Sequence, residues 1–293
     1  MKKTLLAIGA TFIIGSTTLF AQNITLKFNP ANGSSYLNTT GAAMKINQTV
    51  MGQTMEIKST SNTDLTYKIA DAAPDKNLEI TYNKINMTMD AMGQSMNFDS
   101  ESTDSTNQGS KAFRAVKGSK VTALIGSDGT VKSVKGADAI AAKASSGNEQ
   151  TKELLNRLFS ENALKSSFEQ LFKFYPNQPV KQGSTWTATT KIASPYAMTL
   201  QNNYTLVQTD GGKSTLKVDG KASTDGTVKF EQQGMSMDIS LNGTSTGTML
   251  VDNNSGMPDN TDITQHLKGT IKAMGQEIPI EITIESKSSI KKQ

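Results

Sequence analysis

The stretch INMTMDAMGQSMNF, residues 85–98, carries the pattern that decides the predicted fold. Its centre, AMGQSM, is echoed at three other places: VMGQTM at 50–55, QQGMSM at 232–237 and AMGQEI at 273–278. A glycine between two runs that alternate apolar and polar residues is typical of a β-hairpin. With Gly93 and Gln94 as the central residues, Gly93 suits the first position of a type II′ turn, which needs a positive φ. The repeat therefore predicts four hairpin tips rather than a shared binding loop.

The two strands of this hairpin sort their side chains into an apolar face and a polar face. The predicted pairs are Ala91–Met96, Met89–Phe98 and Met87–Ser100. A slip of one residue would move every apolar side chain to the polar face, so the pattern specifies the register. The other copies sort in the same way, with predicted pairs Ile271–Ile280, Gln48–Ile57 and Val228–Leu241.

Strand patterns of this kind fill most of the chain. About a dozen strands are predicted, including KAFRAVKG (111–118), KVTALIG (120–126) and TWTATTKIA (185–193). Helix is predicted at 136–144, 148–159 and 161–175, the last capped by Ser160 and stopped by Pro176. The sequence thus predicts a mostly β single domain over 22–293, with a large curved antiparallel sheet, half-barrel or barrel-like, built of hairpins. A central helical insert is expected at about 136–175.

The apolar face of such a sheet exceeds what short helices can cover, so it must curl or split. A barrel, a sandwich and a half-barrel with the helices as a lid all remain open. The half-barrel leaves an apolar trough, with a predicted lining of Met44, Met55, Met87, Met89, Met96 and Met237. The predicted ligand-binding residues are Met87, Met89, Met96 and Phe98 on the strands, and Phe168, Leu171 and Phe172 on the helix above them. Methionine suits surfaces that accept varied apolar shapes; the alternative is that these residues fill a dry core.

The N-terminus has the order of a secretory signal peptide. Lys2 and Lys3 precede an apolar run over 5–20, and cleavage is expected after Ala21. The run is diluted by glycine, serine and threonine, which disfavours a membrane anchor. Since the chain has no cysteine, no lipid-modified cysteine can follow the leader. We therefore expect a soluble periplasmic or extracellular protein rather than an integral membrane protein.

The composition argues against several kinds of chemistry. Without its leader the chain carries 28 basic and 26 acidic residues, which is no footprint for nucleic acid. A chain without cysteine and with one histidine, His266, has no thiolate or multi-histidine metal site. We expect no cofactor and no metal. The residues Asp252, Asn254 and Asp259 could attract calcium, but they lack the full loop spacing and read better as a turn.

Three short serine motifs invite a catalytic interpretation. GTSTG at 243–247 matches G-x-S-x-G around Ser245, but that motif needs a strand–turn–helix elbow and lies here in a strand-rich stretch. STLK at 214–217 and SSIK at 288–291 match S-x-x-K without the supporting K-T-G. The protein is therefore expected not to be an enzyme.

One segment carries a family resemblance. PNQPVKQGSTW, residues 176–186, has the form P-x-x-P-V-x-x-G-x-x-W. Together with IGSDGTVKSVKG at 125–136 and the leader, it resembles a family of secreted, β-rich bacterial proteins known only as a domain of unknown function. The resemblance covers essentially the whole exported chain and implies no site residues. The predicted shape is also similar to the half-barrels of periplasmic lipoprotein carriers, which is a fold-level analogy. Trp186 is expected to anchor the helices to the sheet.

Two functions follow as hypotheses. The first is a non-enzymatic periplasmic or extracellular binding protein whose apolar trough accepts a hydrophobic small molecule or lipid. The alternative is a structural or cell-surface interaction protein with a closed, dry core.

Overall fold

The computed structural model describes residues 23–50, 52–144, 149–193, 196–232, 235–273 and 275–293. The predicted signal peptide and its cleavage site at Ala21 lie outside the described residues. Thirteen strands are β1 Ser35–Val50, β2 Gln53–Ala72, β3 Asp75–Ala91, β4 Gln94–Asp99, β5 Lys120–Ile125, β6 Val131–Lys135, β7 Thr185–Ile192, β8 Met198–Asp210, β9 Lys213–Ser223, β10 Val228–Gln232, β11 Met235–Asp252, β12 Pro258–Ala273 and β13 Gln276–Lys292. Four helices are α1 Gln108–Val116, α2 Ala137–Ala144, α3 Glu149–Phe159 and α4 Glu161–Phe172.

All thirteen strands belong to one antiparallel sheet with the order β6-β5-β3-β2-β1-β13-β12-β11-β9-β8-β7. The short strands β4 and β10 pair with the far ends of β3 and β11. Because β1 pairs with β13, the first and last long strands are neighbours in the middle of the sheet. The strands β6 and β7 form the two edges, so the sheet does not close into a barrel. The predicted mostly β fold with a curved antiparallel sheet is confirmed, and the prediction of a closed barrel as one of its possible forms is wrong.

The turn of the β3–β4 hairpin is centred one residue earlier than predicted, which displaces the pairing of its strands by two residues. Ala91 pairs with Gln94, so the central turn residues are Met92 and Gly93, with φ of 53° and 77°. Two positive φ angles are the signature of a type I′ turn, whose twist matches that of the flanking strands. The type II′ assignment on Gly93–Gln94 is therefore wrong, and Met89 lies opposite Met96 instead of Phe98.

The other three hairpins show the same two-residue displacement of register. The observed pairs are Ile271–Ile278, Gln48–Met55 and Val228–Ile239. An even displacement leaves every side chain on its predicted face, because the side-chain period of a strand is two. The apolar and polar faces were thus predicted correctly although the partners were not.

The first helix, α1, lies where a strand was predicted in KAFRAVKG. The side chain of Asn107 caps it by accepting a hydrogen bond from the amide of Ser110 at 2.9 Å. Four of its five buried residues, Gly109, Ala112, Phe113 and Val116, follow the i, i+3, i+4, i+7 spacing of a helix. The three predicted helices are confirmed as α2, α3 and α4. The last begins after the predicted Ser160 cap but ends at Phe172, three residues earlier than expected.

A first apolar cluster fills the end of the fold that carries the helices. Its largest fully buried side chains include Tyr67, Phe28, Phe113, Phe172 and Phe174. Helix α4 packs chiefly against β6 and β7, the two edge strands, and so spans the gap between them. The N-terminal segment joins the same region: Ile24 bridges Val180, and the amide of Phe28 donates to the carbonyl of Ser127 at 2.8 Å.

A second apolar cluster lies on the same face of the sheet, nearer the hairpin tips. Its buried members are Met198, Leu200, Ala222, Ile239, Leu241, Leu267, Ile271, Ile280 and Ile282. All of these belong to strands β8, β9, β11, β12 and β13. Since helices contribute none of them, their burial comes from the sheet curling over its own inner face. Within the sheet, β11 and β12 approach each other closely at Gly243, where a Cβ would lie 1.9 Å from the carbonyl oxygen of His266.

Candidate functional site: a methionine trough

The aromatic residues that were predicted to line the site from α4 are part of the core. Phe168 and Phe172 are buried, and the ring of Phe172 lies 5.2 Å from Phe28 and 6.2 Å from Tyr67 between centroids. Leu171 is half-buried and packs against the same cluster. These three side chains pack into the first apolar cluster beneath the helices.

The base of the β3–β4 hairpin is covered by α1 rather than by α4. The ring of Phe98 stacks on Phe113 of α1, with centroids 5.6 Å apart, and Met87 is 9% exposed. The expectation that α4 would contact this hairpin is corrected accordingly, because α1 was not predicted. Phe98 and Met87 therefore act as packing residues.

Towards the tips, the inner face of the first hairpins is left uncovered. We call it the methionine trough, defined by Met44, Ile46, Met55, Ile57, Met89 and Met96. The first five are half-buried and Met96 is 45% exposed. Met44 and Ile46 pack against the second cluster, so the trough continues that cluster outwards. Of the seven predicted binding residues, the structure brings only Met89 and Met96 into this surface, and Met237 lies beside the second cluster.

Register pairs fix which trough residues are neighbours. Met96 lies opposite Met89, Met89 opposite Ser59 and Ser59 opposite Met44. One row towards the tips, Ile46 lies opposite Ile57. Ile46 and Ile57 were not predicted as site residues, although their period-two spacing from Met44 and Met55 places them on the same face.

Charged residues at this end of the fold lie on the outer face. Glu56 pairs with Lys45 and with Lys58, the latter at 2.6 Å, and these hydrogen bonds hold the pKa of Glu56 at about 2. Lys268 pairs with Glu281 at 2.8 Å in the same outer orientation. Strand alternation gives the inner face none of these charges. The sheet is thus apolar inside and charged outside at its hairpin-tip end.

The repeated Gly-Gln pair has a position in this arrangement. Gln53, Gln94 and Gln276 are each the first residue of the strand that follows a tip. Their strand parity puts them on the inner side, and all three are exposed. They form a neutral polar rim along the outer end of the trough.

Between the two apolar clusters the inner face is polar. The side-chain amide nitrogen of Asn38 donates to the hydroxyl of Tyr67 at 2.7 Å, and the hydroxyl of Ser288 donates to the side-chain Oδ1 of Asn38 at 2.8 Å. Burial raises the pKa of Tyr67, which keeps its hydroxyl neutral. Within the described residues, Asn202 Oδ1 and Ser245 Oγ are buried in this band without a protein partner. This polar band was not predicted, because its serines and threonines resemble those of the outer face.

The serine motifs do not form the geometry that their chemistry needs. Ser245 is fully buried in the middle of β11, with no turn or helix after it. Ser214 donates to Asn253 Oδ1 at 2.6 Å, and Ser288 belongs to the Asn38 network. His266 is exposed on β12, with Nδ1 3.2 Å from Thr283 Oγ1.

The carboxylates of the suggested calcium loop already bind other residues of the protein. Asp252 accepts hydrogen bonds from the amide and hydroxyl of Ser255 at 2.7 and 2.6 Å, and Asp259 pairs with Lys213 at 2.6 Å. The described residues hold no group of three or more histidine, cysteine, aspartate or glutamate side chains placed to bind a metal ion.

Two concavities lie away from the trough. A groove of about 420 Å³ crosses the outer face, lined largely by polar residues such as Thr39, Thr248 and Asn260. A shallower hollow of about 460 Å³ lies beside α1 at Tyr82, Asn83 and Arg114. The trough residues are half-buried or exposed, so the trough is an open apolar surface. No helix in the described ranges is long and apolar enough to span a membrane.

These features define a class: an open, curled antiparallel sheet with a helical cover at one end, an apolar inner face and a charged outer face. The chain belongs to DUF6263, a family of unknown function, whose profile matches residues 73–258. This confirms the resemblance seen in the sequence. No curated protein sequence matches the chain.

Solved structures with a low similarity to this chain include the two that follow. The β domain of the Bordetella autotransporter BrkA is 8% identical, with 88% of this chain and 99% of that chain covered and a TM-score of 0.23. OccAB4 of Acinetobacter baumannii is 8% identical, with 89% and 99% covered and a TM-score of 0.20. Likeness at these scores carries no argument about fold detail or function.

Proposed function

We propose that this protein is a non-enzymatic, exported binding protein whose methionine trough receives a lipid-like apolar ligand. The observation that carries the proposal is the uncovered inner face at the hairpin-tip end. It is apolar, free of the charges that mark the outer face, and continuous with a buried cluster. Contiguous exposed apolar surface on a single chain commonly marks an interaction site.

The composition of the trough favours a ligand without fixed shape. Met44, Met55, Met89 and Met96 have unbranched, polarizable side chains that repack around different apolar groups. The glutamine rim offers neutral hydrogen-bonding groups at the outer end, where the polar head of an amphiphile would lie. An open trough leaves one side of the ligand uncovered, which suits a carrier that must release its cargo.

A second candidate has its own supporting observation. Phe168 and Phe172 are buried in a filled core, so the region beneath the helices supports a structural or cell-surface interaction protein. In that case the trough would bind no small apolar molecule. Leu171→Trp would then cost about 1–3 kcal/mol of stability through overpacking and would change no ligand binding.

The test is binding of the neutral fluorescent probe N-phenyl-1-naphthylamine, with displacement by oleic acid and by phospholipid. The variants are Ile46→Gln and Ile57→Gln, which make the trough polar. Each substitution removes part of the free energy gained by burying an isoleucine side chain, which is about 1.5–3 kcal/mol in full. We expect the double variant to weaken probe binding by about tenfold or more.

Thr60→Gln is the matched control, since Thr60 lies on the outer side of β2 and is exposed. We expect it to bind the probe as the unaltered protein does. An unaltered protein that binds no probe, or a trough double variant that binds it as well as Thr60→Gln does, would overturn the proposal. If the probe binds as expected, mass spectrometry of protein purified from its own cells would identify any co-purified lipid.

A further inference from the structure

We propose that the methionine trough also holds a soft monovalent metal ion, Cu(I), through the thioether sulfurs of Met44, Met89 and Met96. This site is independent of the apolar ligand, because it depends on sulfur and not on apolar area. Metal binding here is a simple association of Cu(I) with neutral thioethers, and it requires no electron transfer.

The first argument is the register of the β3–β4 hairpin. Met89 and Met96 lie directly opposite each other on the inner face. Side chains opposite each other in an antiparallel pair have Cβ atoms about 4.5–5.5 Å apart. Methionine has three rotatable bonds beyond its backbone, so the two sulfurs can converge on one ion.

The second argument is the small residue beside this pair. Ser59 lies opposite Met89 on β2, and Met44 lies opposite Ser59 on β1. Two strand spacings separate Met89 from Met44 by roughly 10 Å. Because serine is short, the long side chains on either side can meet above it. Met96 lies one further spacing away, roughly 14 Å from Met44, so the inward curl of the sheet must bring the three side-chain ends together above the row Met96–Met89–Ser59–Met44.

The third argument is that these sulfurs are accessible. Met96 is 45% exposed, and Met89 and Met44 are half-buried. By contrast, Met249 and Met257 are 3% and 1% exposed and serve the core. Met89 and Met96 belong to neither buried cluster, so core packing does not account for them.

The donor chemistry selects the ion. The chain has no cysteine, and among the described residues the inner face at this level carries no carboxylate to attract Ca²⁺ or Mg²⁺. Soft thioether ligands select Cu(I) over hard divalent cations. A monovalent ion also brings the least charge into an apolar surface, where desolvation of charge is costly. Ag(I) has the same softness and charge and serves as a stable diamagnetic probe.

Two measurements on the full exported chain test the site. The first is competition for Cu(I) with the chromophoric chelator bicinchoninate under anaerobic conditions. We expect about one Cu(I) bound per chain. We expect Met89→Leu with Met96→Leu to weaken binding by about a hundredfold, because leucine keeps the volume but removes both sulfurs. The control Met92→Leu removes an exposed thioether at the turn of the same hairpin, and we expect it to bind as the unaltered protein does.

The second measurement is the methyl spectrum of ¹³C-methyl-methionine protein titrated with Ag(I), with signals assigned from the single leucine variants. We expect the signals of Met44, Met89 and Met96 to shift together and that of Met92 to stay in place. Absence of chelator-competitive binding, binding unchanged in the Met89/Met96 variant, or shifts that include Met92 equally would each overturn the proposal. The Ile46→Gln/Ile57→Gln variant keeps all three sulfurs, so Cu(I) binding that is retained there while probe binding is lost distinguishes the metal site from the apolar trough.

Discussion

A single substitution at the β3–β4 turn tests the register on which both proposals rest. Met92 is the first central residue of the turn and has φ of 53°, a backbone region that side chains with a Cβ adopt at a cost. It is 79% exposed, so its side chain contributes little burial. Asparagine is the residue that type I′ turns prefer at this position. We therefore expect Met92→Asn to stabilise the protein.

The magnitude follows from the backbone alone. The left-handed conformation costs an ordinary residue about 1–2 kcal/mol, and asparagine recovers part of that, about 0.5–1 kcal/mol. For a chain of this size, 1 kcal/mol corresponds to about 2–4 °C in Tm. The expected rise is therefore about 1–4 °C. The companion Gly93→Val should lose about 1–3 kcal/mol of stability, because valine is strained at a φ of 77°. No atom lies within 4 Å of an added Cβ, so a steric clash would not contribute to this loss.

Calorimetric melting of the three proteins at one scan rate measures both effects. A lower Tm for Met92→Asn together with an unchanged Tm for Gly93→Val would refute the turn on Met92–Gly93. The pairing of Met89 with Met96 would then fail as well, and the proposed metal site would lose its basis.

Three further predictions concern the core and the outer face. Phe172→Ala should lose about 3–5 kcal/mol in chemical denaturation, because its ring is fully buried; a loss below about 1 kcal/mol would contradict the described packing. Ser245→Ala should keep or raise Tm, since the buried hydroxyl has no protein partner within the described residues, whereas a lower Tm would indicate a bound water. The pKa of Glu56 is held at about 2 by Lys45 and Lys58. Its contribution to stability should therefore be complete above pH 4.5 and disappear as pH falls towards 2. At low salt, the stability of Glu56→Gln should fall less over this pH range than that of the unaltered protein.

Much of the sheet was predictable because strand periodicity is a local signal. The pattern around Met87 and Met89 specified which side chains share a face, and the structure confirms those faces. The partners were displaced by two residues because the choice between two adjacent turn centres leaves the alternation unchanged. Only the backbone angles of Met92 and Gly93 distinguish the two.

The helix that covers the hairpin was missed for a related reason. In KAFRAVKG the apolar residues Phe113 and Val116 fit both a short strand and one face of a helix, and a run of that length does not separate the two. The Asn107 cap was the available signal, since its side chain begins α1. Because α1 was missed, the cover over Phe98 was assigned to the wrong helix.

The sequence by itself determined the fold class, the two faces of the sheet, the Ser160 cap of α4 and the absence of thiol groups. Each of these depends on residues close together in the chain or on composition. Only the tertiary structure decided that the sheet stays open, that α4 spans its edges and that Met44 lies in one row with Met89 and Met96. Those outcomes depend on pairings between distant strands and on how far the sheet curls. Local periodicity does not encode either, because the same alternating strands satisfy their hydrogen bonds in an open or a closed sheet.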